Sequence, residues 1–373
     1  MTTSANAKLG PALIGSALLL LVFTAAGAAS QATAAPSFLS GKVAAWDQPG
    51  RPLQAKVESA AADFKSKKQG DFFFIAYVFP SRHKVRHRGC NGPDGPFEVV
   101  NHGGEIEFDH GSRGESWETK DGNAPAGLLA LLSAAKSRPR AEDIRLIDPE
   151  EVYEFKTLPV YWLGSITVDD SLGLLEKEFE SGVAEVQESG LFAISVHDSP
   201  KAYDFLKAVA LGPYRRDVRK NAVFWIGNSH DPRTVADLKS IMAKSGDDEV
   251  RERVVFALSL NGNREALEEL LRIAKGGQDH EIREKAIFWL GQKASEEAVR
   301  GLKEIVEGPD EDVKESAVFA ISQLPKRKAV PMLIGIAKDN KSPSVRKKAL
   351  FWLGQTGSDE AIKLFEEILL KKD

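Results

Sequence analysis

Apolar positions recur on a regular beat through most of the chain. An aromatic residue within a short apolar cluster returns at Tyr161, Phe192, Phe224, Phe256, Phe288, Phe319 and Phe351, at spacings of 31, 32, 32, 32, 31 and 32 residues. Leu175, Leu206, Leu238, Leu270, Leu302, Leu333 and Phe365 keep the same interval, as do the basic positions Arg219, Arg251, Arg283, Lys314 and Arg346. An interval this constant marks stacked structural repeats. Within one unit, residues 265–274 place Ala, Leu and Ile at helical spacing, and residues 281–292 do so again, so each unit predicts two helices. Gly, Asp, Asn, Ser and Pro punctuate the units, as at Gly276-Gly277 and Asp198-Ser199-Pro200. Asp217, Asp312 and Ser344, just before the Val of the basic landmark, are the expected caps of the second helices. A pair of short helices buries little by itself, and stacking supplies the core, so the pattern predicts an α-solenoid over residues 151–373.

Residues 36–150 do not share that beat. Residues 51–68 predict a helix, and 124–136, rich in Ala and Leu, predict a second. The aromatic run 72–79 has the length and composition of a strand, as do the shorter segments 97–100, 105–108 and 144–148. The expectation is a small α+β domain, joined rigidly to the solenoid because residues 148–155 lack the composition of a flexible linker. The fold class is thus mainly α, with about six to seven helix pairs behind a small N-terminal α+β domain.

The polar positions sharpen the repeat. On a wheel of about 100° per residue, Val218, Ala222, Trp225 and Ile226 fall together on one arc while Phe224 sits among Lys220, Asn221 and Asn228. Glu252 and Arg253 flank Phe256 in the same way, and Glu284, Lys285 and Gln292 flank Phe288. The residue after each aromatic alternates, Trp162, Ala193, Trp225, Ala257, Trp289, Ala320, Trp352, and two positions later Gly alternates with Ser. Alternation of large and small side chains is what dense packing between neighbouring helices requires, so the Trp residues are expected to be packing wedges.

The run Asp-Val-Arg-x-x-Ala, with a Leu-rich partner helix, resembles HEAT repeats, and most closely the short bacterial kind labelled phycobilisome-lyase-like. The likeness covers roughly residues 157–373 and departs from the pattern in its first two copies, where Lys156 and Gln187 replace the Arg and Pro159 and Gly190 replace the Ala. HEAT-like proteins line a concave surface with their second helices. The resemblance therefore implies a ladder of Tyr161, Phe192, Phe224, Phe256, Phe288, Phe319 and Phe351 along a concavity, beside Gln292, Gln323 and Gln355. Two readings stand: each aromatic packs between neighbouring repeats, or the ladder is exposed and takes a protein or extended peptide.

Composition narrows the chemistry. The chain of 373 residues is 42% hydrophobic and 28% charged, with net charge −4, which excludes wholesale disorder and gives no global footprint for nucleic acid. Lys8, an apolar run over 12–23 and two small-residue cleavage patterns, Ala26-Gly27-Ala28 and Ala32-Thr33-Ala34, make residues 1–34 a signal peptide by pattern. A periplasmic or extracellular mature chain with no membrane span is expected. In the N-terminal domain, Arg82, Lys84, Arg86 and Arg88 would share one face of a strand as a solvated edge or an anion-binding stripe. His83, His87 and Cys90 are a weaker candidate for a metal. The single cysteine excludes an internal disulfide. No phosphate-binding glycine loop, nucleophile elbow or C-x-x-C is present. An iron-dependent hydroxylase family built of similar repeats uses several His-Glu pairs, whereas this chain has only His280-Glu281. The expectation is an exported, non-catalytic scaffold without a cofactor. The alternative is an envelope protein that binds a small ligand, metal or glycan in its N-terminal domain.

Overall fold

The aromatic run at Phe72 lies near the middle of a sheet, because its alternate side chains are wanted on both sides. In the computed structural model, which describes residues 34–88, 98–100, 114–135, 137–276 and 279–370 (backbone alone at 82–88, 98–100 and 114–124), six strands form this sheet. They are β1 (Leu39–Ala45), β2 (Phe72–Arg88), β3 (Glu98–Val100), β4 (Gly114–Ser133), β5 (Arg140–Ile147) and β6 (Val152–Ser165). The order is β1-β6-β2-β4-β5, with β3 paired to β6. β6 runs parallel to β1 and β2, and β4 is antiparallel to both β2 and β5. Helix α1 (Leu53–Ser66) connects β1 to β2. It is held down by Lys56, which donates to Asp47 at 2.7 Å and to the Leu163 carbonyl at 2.9 Å, and by Tyr161, which donates to Asp63 at 2.8 Å.

The sheet corrects two expectations. The Ala/Leu run over 124–136 is not a helix: it belongs to β4 as far as Ser133, paired with β2 from Phe72↔Ser133 to Ser81↔Ala124. Leu128, Ala130 and Leu132 enter one core and Leu129 the other, so both faces are buried. An unbroken apolar run of this kind suits a doubly covered strand as well as a buried helix, and the neighbouring strands decide. The expected boundary at residue 150 also moves, because β6 carries the sheet to Ser165. Tyr161 is therefore a strand residue opposite Ala44 and Ile75, not the first rung of a helical ladder. Trp162 points to the far side of the sheet, edge-on to Phe38 at 5.7 Å. Gly164, at φ +86°, fits a spot where a Cβ would strike the Asp47 carboxylate.

Beyond the sheet lie thirteen described helices: α2 (Val168–Phe179), α3 (Ala184–Ser195), α4 (Pro200–Leu211), α5 (Arg216–Gly227), α6 (Thr234–Lys244), α7 (Asp248–Leu260), α8 (Arg264–Lys275), α9 (His280–Lys293), α10 (Glu296–Glu307), α11 (Glu311–Ser322), α12 (Lys326–Asp339), α13 (Pro343–Thr356) and α14 (Asp359–Leu370). They form six pairs followed by one helix. The caps sit earlier than expected. Asp247, Asp279 and Asp310 accept from backbone N–H groups of α7, α9 and α11, whereas Asp217 and Asp312 lie inside the first turns. Ser344 likewise follows the start of α13. Each capping Asp also receives the Arg of the preceding repeat: Arg219 approaches Asp247 at 3.8 Å, Arg251 donates to Asp279 at 2.8 Å, and Arg283 donates to Asp310. At Arg219, Arg251 and Arg283 the basic landmark is therefore a link from one repeat to the next, whereas Lys314 pairs with Glu311 of its own helix and Arg346 donates to the Asn340 and Lys341 carbonyls. The alternating small residues are steric: a Cβ on Gly227 would lie 2.4 Å from that of Ala257, and one on Gly291 would lie 3.0 Å from the Ala320 carbonyl.

One apolar core runs from α1 and the sheet face of Phe73, Ile75 and Tyr77 through to Leu364 of α14. At the joint, Glu178 of α2 accepts from the Ala141 N–H of β5 at 2.8 Å, and Ser81 donates to the Val196 carbonyl at 3.0 Å. Beneath them lies a buried polar chain. His197 Nδ1 is 2.8 Å from the Ala193 carbonyl, which can only accept, so Nδ1 carries the proton. Nε2 then accepts from Ser171 at 2.8 Å, and Ser171 accepts from Tyr77 at 3.0 Å. Phe79 stacks on the imidazole at 4.0 Å.

Burial pulls the His197 pKa down from 6.5 to about 4. Between these values the unfolded chain binds a proton that the folded chain refuses. Stability from this group is therefore complete above pH 6.5 and is lost as pH falls toward 4, by about 3 kcal/mol. Thermal unfolding of wild type and His197→Gln from pH 7.5 to 4 is expected to show a steeper fall in Tm for wild type. Parallel curves would remove His197 as the source.

Candidate functional site

Successive second helices (α3, α5, α7, α9, α11, α13) approach one another more closely than do the first helices (α4, α6, α8, α10, α12). The array therefore curves toward the second helices and presents them on its concave side. The aromatic landmarks lie on this side in three clusters. Trp225 packs on Phe192 at 5.0 Å and on Phe224 at 4.8 Å. Trp289 packs on Phe256 at 4.8 Å and on Phe288 at 5.1 Å. Trp352 packs on Phe319 at 5.1 Å and on Phe351 at 5.0 Å. Phe224 and Phe256, stacked at 6.1 Å, join the first cluster to the second.

This arrangement explains the two-repeat period. Trp225, Trp289 and Trp352, on every other second helix, each lie against the Phe of the preceding second helix and support their own Phe from the side. The wedge role expected of the Trp residues holds for Trp225, Trp289 and Trp352, while Trp162 serves the sheet. The ladder itself is graded. Tyr161 is buried in the sheet and Phe192 is only 4% exposed, so neither offers a surface. Phe224, Phe256 and Phe319 are half-buried. Phe288 is 37% exposed and Phe351 55%. The rungs nearest the sheet are thus covered, Phe288 and Phe351 are open, and Phe319 between them is half-buried.

Between α5 and α11 this side forms a groove of about 700 Å³. Phe256, Phe288, Trp289 and Phe319 supply its apolar surface, and Lys220, Glu249, Glu252, Arg253, Glu284, Lys285 and Ser316 supply its polar surface. Lys220 pairs with Glu249 at 2.7 Å and Lys285 with Glu252 at 3.1 Å, and Glu284 accepts from Ser316. The Arg253 guanidinium lies 5.4 Å from the Phe256 ring centroid, and burial lowers its pKa from the ordinary arginine value.

Gln292, Gln323 and Gln355 are exposed but do not line the groove. They follow their Phe by one helical turn, whereas the lining charges precede it by about one turn. The wheel reading already set those charges beside the Phe residues, and the missing signal was the direction in which a helical side chain leans, back toward the N-terminus. In the N-terminal domain, His83, Lys84, Arg86, His87 and Arg88 lie on the part of β2 that pairs with β4 from His83↔Thr119 to Arg88↔Gly114, and Arg82 falls at the register shift just before it. Their side chains lie outside the described residues, as does Cys90.

A family model for HEAT repeats matches residues 203–291 and 299–373. With the paired helices and their curvature, the match defines the helical array as a HEAT-repeat solenoid with a small N-terminal sheet region. Among solved structures, human deoxyhypusine hydroxylase in complex with glycerol is 17% identical over 55% of this chain and 80% of that one, with a TM-score of 0.26. The complex of CpcE and CpcF of phycocyanin lyase from Nostoc sp. PCC7120 is 18% identical over 52% and 92%, with a TM-score of 0.30. Likenesses this distant carry nothing about activity. No curated protein shows a significant match.

The two ends of the aromatic series differ in what they hold. Phe192→Ala is expected to cost about 3–5 kcal/mol, because it opens a cavity under Trp225. Phe351→Ala is expected to cost under about 1 kcal/mol. Denaturant unfolding of both variants checks this, and equal losses would mean that Phe351 is packed as tightly as Phe192.

Proposed function

We propose that this protein is a non-catalytic scaffold that holds an extended segment of a partner protein in the groove on its concave side, and that it does so outside the cytoplasm. The observation that carries the first part is the groove itself: an apolar surface of Phe256, Phe288, Trp289 and Phe319 left open between charges that are mostly paired with one another. Apolar anchors surrounded by a satisfied polar rim are what a binding patch needs, since the anchors contribute affinity by leaving water and the rim loses little on contact. An extended chain suits the site because Phe256, Phe288 and Phe319, half-buried or exposed, fall in a row, one per repeat, along a stack of rigid helices. The support for export is the leader pattern of residues 1–34.

A photo-reactive residue in place of Phe288 is expected to cross-link a partner from cell-envelope extract, and the same residue in place of Lys303 on α10 to give far less. Equal labelling from both positions would remove the groove as the binding surface. For export, the mature protein recovered from the source cells is expected to begin near Ala29 or Ala35. An intact N-terminus on protein recovered only from the cytoplasm would overturn that part.

A further inference from the structure

The charges lining the groove are not equally satisfied. Lys220 and Arg216 share Glu249, Lys285 holds Glu252, and Glu284 is engaged by Ser316 and approached by His280 at 3.6 Å. Arg253 makes no hydrogen bond or ion pair among the described residues. Its guanidinium rests over Phe256, and the only cause that moves its pKa, a lowering, is burial. An arginine stays protonated under such a shift, so the site holds a partly desolvated cation with unused N–H donors. An anion that reached it would gain charge-assisted hydrogen bonds to those donors.

Resting on the reading of this groove as a peptide site, we propose that the groove selects partner segments carrying an acidic side chain beside an apolar one. Arg253 holds the carboxylate, and the surface of Phe256, Trp289 and Phe288 holds the apolar neighbour. The planar guanidinium offers paired N–H groups that match the two oxygens of a carboxylate. Phe256 covers one side of the cation and keeps it in place. Trp289, packed on Phe256 at 4.8 Å, and Phe288, 37% exposed on the next helix, continue the apolar surface from α7 to α9. Charge complementarity favours a single carboxylate over a nucleic acid. A phosphate backbone brings many negative charges, and these would meet Glu249, Glu252 and Glu284 around the one lining cation that is free among the described residues.

The test uses the full chain and a library of displayed 12-residue peptides. Selected peptides are expected to carry Asp or Glu near an aromatic or branched aliphatic residue. A selected peptide is expected to bind roughly tenfold or more tightly than its Glu→Gln or Asp→Asn counterpart. Arg253→Gln is expected to erase that difference, bringing both peptides to the affinity of the amide form, while Arg253→Lys retains part of it. Equal Tm values for wild type and Arg253→Lys keep the comparison one of recognition rather than folding. If peptides bind, lose affinity for the Phe288→Ser variant, and show no preference for the acid, the role of Arg253 falls and the groove reading stands. If Arg253→Gln leaves the preference intact, the role of Arg253 likewise falls. If no peptide is selected, both readings fall together.

Discussion

The structure depends on closing a stack of helix pairs at its first member. A HEAT array exposes an apolar face at each end unless something covers it. Here the sheet covers the first pair, and it does so within one core rather than across an interface between two. Phe73, Ile75 and Tyr77 of β2 and Leu172, Leu175 and Phe179 of α2 belong to the same cluster that runs to Leu364. The polar groups at the joint are satisfied across it: Glu178 completes the backbone of β5, and His197 and Ser171 complete Tyr77. Buried groups paired in this way specify one docking geometry, because any slip leaves a polar atom unpaired. The last helix, α14, lacks such a cover among the described residues, and Ile362, Ile368, Leu369 and Leu370 are exposed there.

From that fixed start the array is built by nearest-neighbour contacts. The capping Asp residues satisfy their own helices and receive an Arg from the repeat before. Gly227 and Gly291 let second helices approach closely, which draws that side of the stack inward. The same approach brings Trp225, Trp289 and Trp352 each onto the Phe of the preceding second helix. Function, on the reading proposed, grows out of this packing. The Trp residues use part of the aromatic surface for stability, and the Phe residues that they support from the side remain available at Phe288 and Phe351.

The solenoid was legible because its signal is periodic. An interval of about 32 residues held over many copies survives substitution at any single position, and each copy repeats the same local problem of burying one helix face. The reading went wrong where local pattern has two solutions. Val160-Tyr161-Trp162-Leu163-Gly164 matches the helical motif in composition and spacing, yet it is strand, and Pro159 together with the alternation Tyr153, Glu154, Phe155, Lys156 was the available warning. The Leu/Ala segment in β4 misled for the same reason: high helix propensity is a weak preference that a central place in a sheet overrides.

The amino-acid sequence by itself determined the repeat, its helix pairs, the alternation of Trp with Ala and of Gly with Ser, and the presence of aromatic residues on a polar helix face. All of these are patterns of spacing along the chain, where position maps directly onto helix geometry. Only the tertiary structure decided which aromatics are open. That depends on the neighbour each one meets: Phe192 lies beneath Trp225, Tyr161 lies inside the sheet, and Phe351 projects beyond its Trp. It also decided which charges are free. Glu252 and Lys285 meet across adjacent helices while Arg253, one residue along, meets only a ring. Exposure and pairing are relations between residues about 32 positions apart, and they exist only once the helices are stacked.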